Sequence, residues 1–215
     1  MDEEFRVVNS QIDMVEQLAA VQRAAFPTLA AAERITAEHY AAHIRRFAAG
    51  QFAVLNKAGQ VVACSTDFRT NKVDFAHIEH RYLDAVDDNW LGHHDPQGAW
   101  LYGADIGVLP AYRRRGLATR LYQARRDFIR RFNLRGHIAG GLLAGFGAYR
   151  TTMSAESYVE QVIAGKLFDP TLSVQLRNGF TVHGVIQRYV DDPGCDGKAA
   201  FLVWYNPDYQ PSVPG

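Results

Sequence analysis

Cysteine is scarce in this chain: Cys64 and Cys195 are the two in 215 residues. They lie far apart and match no redox or metal-ligand spacing, so reduced thiols are expected rather than a disulfide framework. Long apolar runs are missing too; none approaches the ~18–20 residues of a membrane span. The start, Met1-Asp-Glu-Glu, is acidic and has no apolar signal-peptide core. A soluble, cytoplasmic protein without a membrane partner is expected. Net charge is also absent, 23 Lys and Arg balancing 23 Asp and Glu, which argues against nucleic acid as the main partner. Internal repeats, low-complexity tracts and a central linker are lacking. One domain over residues 1–206 is therefore expected, followed by a proline-bearing tail, 207–215. With 47% hydrophobic residues the chain is long enough for one substantial core.

The charge that is present is unevenly placed. Residues 113–135 hold nine arginines against one acid, Asp127, a cationic field suited to a polyanionic ligand. Hydrophobic spacing and breakers predict the elements around it. Glu4–Val8 reads as a strand. A helix follows from Ser10 as cap, with Ile12, Val15, Leu18, Ala19 and Gln22 at helical spacing and Pro27 as its stop. Thr36 caps a second helix, with Tyr40, Ile44, Phe47 and Ala48 on its apolar face. Phe52–Leu55 and Val61–Ser65 form a hairpin about Asn56-Lys-Ala-Gly59. Residues 69–98 show little periodicity, and both a lid and plain surface remain open for them. Trp100–Leu109 is a central strand. The next helix buries Leu117, Leu121, Ala124, Phe128 and Phe132, with its arginines outside. Gly136–Leu143 is a glycine-rich strand. Helices capped by Ser154 and closed by Gly179 precede strands Phe180–Val190 and Ala199–Tyr205.

The stretch Asp105-Ile-Gly-Val-Leu-Pro-Ala-Tyr-Arg-Arg-Arg-Gly-Leu-Ala-Thr119 carries the most chemistry. A strand enters a basic turn, Gly116 admits close approach, and a helix begins. Its first amides have no intrahelical acceptor and its dipole favours an anion, so the device suits a pyrophosphate. Arginines at a helix start oppose the dipole, and a bound anion explains them better than stability does.

Arg113, Gly116 and Ala118 match the [Q/R]-x-x-G-x-[G/A] pattern of the GNAT (GCN5-related) N-acetyltransferases, which this chain resembles over most of residues 5–205. The stretch from Met153, the Asp169–Phe180 segment and the ending Trp204-Tyr-Asn-Pro-Asp are similar to the GNAT domain fused to carbon–nitrogen hydrolases in some bacterial proteins. The resemblance implies a mixed α/β fold, with a mostly antiparallel six- to seven-stranded sheet and helices on both faces. It implies acetyl-CoA as cosubstrate and a primary amine, small molecule or peptide, as acceptor. The pantetheine arm would meet backbone groups of Ile106, Gly107 and Val108, the Val108 N–H polarising the thioester carbonyl. The phosphates would meet Arg113, Arg114, Arg115, Gly116, Leu117, Ala118 and Thr119.

Asp105 stands where related enzymes often carry a glutamate base, and it is the catalytic candidate beside Val108; a surface carboxylate or an ammonium ligand are its other readings. Gly107 within a strand would fit a bulge. The family's tyrosine acid is replaced by Gln175, which cannot donate a proton as an acid; Tyr149 and Tyr158 are the substitutes at hand. His39/His43 and His93-His94-Asp95 lack a third ligand at metal spacing, so surface histidines and no metal are expected. Carboxylates at 67, 74, 79, 84, 87, 88, 95 and 105 would draw in a cationic acceptor. If the Phe201–Tyr205 strand lies at an edge, a homodimer through it is expected. A catalytically silent CoA-binding or regulatory module is the alternative function.

Overall fold

A computed structural model describes residues 4–211. It contains one seven-stranded sheet in the order β1-β2-β3-β4-β5-β7-β6. The strands are β1 (Arg6–Asn9), β2 (Gln51–Leu55), β3 (Val61–Thr70), β4 (Trp100–Val108), β5 (Gly136–Leu142), β6 (Thr181–Ile186) and β7 (Ala199–Tyr205). Every neighbouring pair is antiparallel except β4 and β5, which run parallel. The helices are α1 (Val15–Ala25), α2 (Ala37–Phe47), α3 (Tyr82–Val86), α4 (Leu117–Arg131), α5 (Ala155–Ile163) and α6 (Leu172–Arg177).

Strand alternation places two helical layers. Leu18, Ala19 and Val21 of α1 and Tyr40 of α2 pack with Ala53, Val61 and Cys64 on one face. Leu117, Leu121, Phe128 and Ile129 of α4 pack with Phe52, Val54, Val62 and Leu101 on the other. Helices α5 and α6 extend that second layer against Leu143, Ala200 and Leu202.

Local signals explain many boundaries. The Thr36 hydroxyl accepts from the His39 N–H while His39 Nδ1 accepts from the Thr36 N–H, a reciprocal cap. Ser154 caps α5 through the Ser157 N–H. The β2–β3 turn closes with Gly59 at φ 78°, and Asn56 Oδ1 accepts from the Ala58 and Gln60 N–H groups.

Tertiary contacts overturn other expectations. Ser10 caps no helix: a short 3-10 turn, Ile12–Met14, comes first, and α1 starts after Met14 without a side-chain cap. Ser10 is buried, its N–H donating to the Gln51 carbonyl, whereas Ile12 is 51% exposed. Phe132 is 44% exposed, and Arg125 takes the buried place on α4. His43 is not a surface residue: it is buried, with Nε2 against the Asn89 carbonyl. The Phe201–Tyr205 strand is no edge, since β7 lies between β5 and β6; most of its ladder groups are already paired, which removes the expected dimer contact. Of the expected tail, residues 207–211 lie against α4, with Arg130 paired to Asp208 at 2.9 Å. Residues 212–215 lie outside the described residues.

Segment 71–99 is ordered around α3. Tyr82, Val86 and Leu91 join Phe68, Tyr102, Ile138 and Phe201 in a core on the α1–α2 face. Three of its six carboxylates hold backbone amides. Asp74 accepts from the Ala76 and His77 N–H groups, Glu79 from those of Gln187 and Arg188, and Asp95 from that of Gln97.

Candidate active site

Strands β4 and β5 pair only from Trp100↔Gly136 to Gly103↔Ala139, then part. The cause lies on β4. Thr66 pairs with Asp105 but Asp67 with Gly103, so Ala104 is the extra, bulged residue. Gly107, expected to carry the bulge, pairs regularly with Cys64. Its lack of a side chain serves packing instead, because a Cβ there would stand 3.1 Å from Ala25 Cβ of α1.

A buried ion pair pins the bulge. Arg125 of α4 passes its side chain under the sheet, Nε donating to the Asp67 carboxylate at 2.9 Å. Its Nη2 donates to the Thr66 and Asp105 carbonyls, the three residues flanking the irregularity. Arg125 is 2% and Asp67 0% exposed, so each charge depends on the other. Composition hid this residue among the nine arginines of the segment. The one available clue was its phase, four residues after Leu121, on the buried stripe.

Beyond the bulge, the Leu109 N–H donates to the Val62 carbonyl. Antiparallel alternation then turns Gly107 toward β3 and the backbone groups of Ile106 and Val108 toward the open side. A cavity of about 90 Å3 sits at the parting, lined among others by Ala104, Asp105, Ile106, Gly140, Gln175 and Tyr189. Asp105, 9% exposed, accepts from Tyr40 Oη at 3.2 Å. Burial raises its pKa to about 6, with the Tyr40 hydrogen bond and Arg125 opposing that rise. It is no plain surface carboxylate.

Gln175 reaches the same cavity, and its Oε1 is buried without a hydrogen-bond partner. Neither expected substitute acid is there. Tyr158 donates to Asp169 at 2.9 Å and packs with Phe146 and Tyr149 in the α5–α6 core. The tyrosines that do line the cavity, Tyr82, Tyr122 and Tyr189, come from three separate elements, and no local sequence pattern joins them.

At the far end of β4, the turn carries left-handed backbone at Arg114, φ 62°, and Gly116, φ 74°. Nothing lies within 4 Å of where a Gly116 Cβ would be, so the space above it is open. The first bond of α4 runs from the Arg120 N–H to the Gly116 carbonyl; the amides of Leu117, Ala118 and Thr119 precede it and point out of the helix start. Arg113 folds back onto the Ala25 and Val108 carbonyls, and Arg115 lies over the Tyr112 ring at 5.1 Å. Backbone thus forms the concave surface and guanidinium groups its rim. The row from Val108 to Thr119 joins open helix-start amides, a geometry that suits an anion, to the parted strands. No helix among the described residues is long and apolar enough to cross a membrane.

Comparison with known proteins agrees with this geometry. The probable hydrolase YhcX of Bacillus subtilis (strain 168) is 35% identical over 198 residues, 92% of this chain but 38% of YhcX. The chain thus spans about two-fifths of that relative's length. The uncharacterized N-acetyltransferase YkwB of the same organism is 28% identical over 200 residues, 91% of this chain and 86% of YkwB. Among solved structures, the GphF GNAT-like decarboxylase in complex with isobutyryl-CoA superposes with TM-score 0.77 at 19% identity, covering 94% of this chain and 99% of that one. It shares the fold and holds a CoA thioester, the cosubstrate of this fold. The model of the acetyltransferase (GNAT) family matches residues 15–140, from α1 through the parted strands, and the chain belongs to that family.

Proposed function

We propose that the protein transfers an acetyl group from acetyl-CoA to a primary amine by direct attack in a ternary complex. The observation that carries this is the parting of β4 and β5 at the Ala104 bulge, with Asp105 in the resulting cavity. In this reading the CoA phosphates lie on the Arg113–Thr119 turn, Gly116 and the following amides making most contacts. The pantetheine amides pair with Ile106 and Val108, and the Val108 N–H donates to the thioester oxygen as it gains charge. Removing a single oxyanion donor of this kind costs about 3–4 kcal/mol of transition-state stabilisation. Asp105 meets the incoming ammonium and favours it over an anion.

Thermal unfolding with acetyl-CoA, CoA or ATP tests the cosubstrate site. A ligand at about 100 times its Kd adds roughly 2.7 kcal/mol, and for this chain length about 5–10 °C in Tm. The expected result is a shift with acetyl-CoA, a smaller one with ATP, and none with Gly116→Asp, which places a side chain and a negative charge at φ 74° on the phosphate path. Absence of any shift with CoA species would end the acyltransferase reading.

Gln175 favours a second reading, a CoA-binding module without turnover, because an amide cannot protonate the departing thiolate. Amine-dependent release of CoA separates the two. GphF is described as a decarboxylase, so malonyl-CoA belongs in the same assay. The Asp105 carboxylate would oppose a substrate carboxylate in that cavity, and we retain the amine.

A further inference from the structure

Acyl transfer to an ammonium releases a proton that must leave the site each turnover. The carboxylate at hand offers it no route. Asp105 is bonded to Tyr40 Oη, and Tyr40 Oη meets Cys64 Sγ at 3.7 Å. All three are buried, and burial pushes both the phenol and the thiol up. Cys64 Sγ in turn faces only the Leu18 carbonyl. That arm ends inside the core.

A second arm leaves the same cavity. Tyr189 lines it beside Asp105 and Gly140. A Cβ on Gly140 would stand 2.6 Å from Tyr189 Oη, so glycine at the first β5 position past the paired region lets that hydroxyl reach the strand. Tyr189 Oη lies 2.9 Å from Tyr102 Oη, and Tyr102 Oη lies 3.0 Å from His80 Nε2. His80 Nδ1 lies 2.7 Å from the Ile78 carbonyl, which can only accept. In the neutral ring, Nδ1 therefore carries the hydrogen and Nε2 is the acceptor. Tyr102 donates to His80 and accepts from Tyr189. The Gly140 N–H donates to Tyr189 Oη as well, and the remaining lone pair of that oxygen gives Tyr189 the polarity of a base beside the cavity it lines. Burial holds both phenols protonated, Tyr189 being pushed up to about 12. Tyr102 and His80 also line a separate cavity of about 540 Å3 beneath segment 71–98. Lys72, Asp74, His77, Asp84 and His93 face His80 across it, while Glu79 turns to the Gln187 and Arg188 amides.

We propose that Tyr189, Tyr102 and His80 form the proton exit of the acyl-transfer site, opening into the cavity beneath segment 71–98. The inference rests on the acyltransferase reading above. Before attack, one ammonium proton passes to Tyr189 Oη, which frees the nitrogen lone pair. The Tyr189 proton passes to Tyr102 Oη, and the Tyr102 proton to His80 Nε2. The free amine then adds to the thioester carbon; the C–S bond breaks, its electron pair leaves with sulfur, and the second nitrogen proton is taken up by the departing thiolate. The imidazolium then loses its proton to water in the larger cavity. Tyr189 takes the proton of the ammonium that Asp105 holds; Tyr102 and His80 act through it.

Tyr189→Phe, Tyr102→Phe and His80→Ala are compared with wild type, using acetyl-CoA with benzylamine as the probe amine. Acetyl-CoA hydrolysis without amine is the second readout. Each variant is expected to lose about 100-fold or more in kcat while the amine is protonated, with KM for acetyl-CoA unchanged. The loss shrinks as pH rises, because free amine brings no ammonium proton for the relay to remove. Added imidazole restores His80→Ala through the larger cavity but leaves Tyr102→Phe impaired. A loss equal at every pH, or no loss, with wild-type turnover intact, overturns the relay alone. A wild type that binds acetyl-CoA yet turns over neither benzylamine nor water overturns the relay together with the catalytic reading.

Discussion

Asp105 joins two demands that conflict in most carboxylates, burial and readiness to ionise near neutrality. Its pKa, raised to about 6 by burial, has consequences for activity and for stability. If the ionised form receives the ammonium, kcat/KM rises with pH through an apparent pKa near 6, and Asp105→Asn removes that limb along with most activity; a pH–rate series checks both. For stability, the folded pKa lies above the unfolded value of about 3.9, so the native state binds the extra proton. Its contribution is full below about pH 4 and is lost as pH rises through about 6. The Tm of Asp105→Asn relative to wild type should therefore climb over that interval. The candidate residue itself was legible in the sequence from its place ahead of the Ile106–Val108 run. Its environment was not, because Tyr40 lies 65 positions away on α2.

At the scale of elements, α4 serves two faces at once. Its N-terminus leaves the amides of Leu117, Ala118 and Thr119 open, and one turn of its buried side holds Arg125 against the Ala104 bulge. Replacing Arg125 with Met leaves Asp67 buried without its counter-charge, at a cost of about 3–5 kcal/mol. Denaturant unfolding should show that loss, and Asp67→Asn added to Arg125→Met should recover part of it. The acetyl-CoA shift should fall as well, since the parting of β4 from β5 depends on the bulge. Caps at Thr36 and Ser154 and the turn at Gly59 were readable because their hydrogen bonds span two to four residues. The bulge at Ala104 was misplaced to Gly107 because a bulge is a relation between two strands. A glycine marks only that a side chain is unwelcome; here Ala25 of α1 is the reason.

Across the whole molecule, a neutral chain of 23 basic and 23 acidic residues places three consecutive arginines, 113–115, at the turn before α4. Acetyl-CoA affinity should therefore weaken with added salt, whereas S-acetylpantetheine, which lacks the phosphates, should bind more weakly and show almost no salt dependence. Titrations at low and high ionic strength measure this directly. The sequence by itself determined the succession of the seven strands and the longer helices, and the family, because these rest on local spacing, turn chemistry and helix ends. Tertiary structure alone decided that β7 is interior, that His43 and Arg125 are buried, and that segment 71–98 walls a cavity. It also decided that Tyr102 and Tyr189, 87 positions apart, share a hydrogen bond. Periodicity records which face of an element is apolar, while the partner of a buried polar group is set by strand order and register, which no local window of the sequence contains.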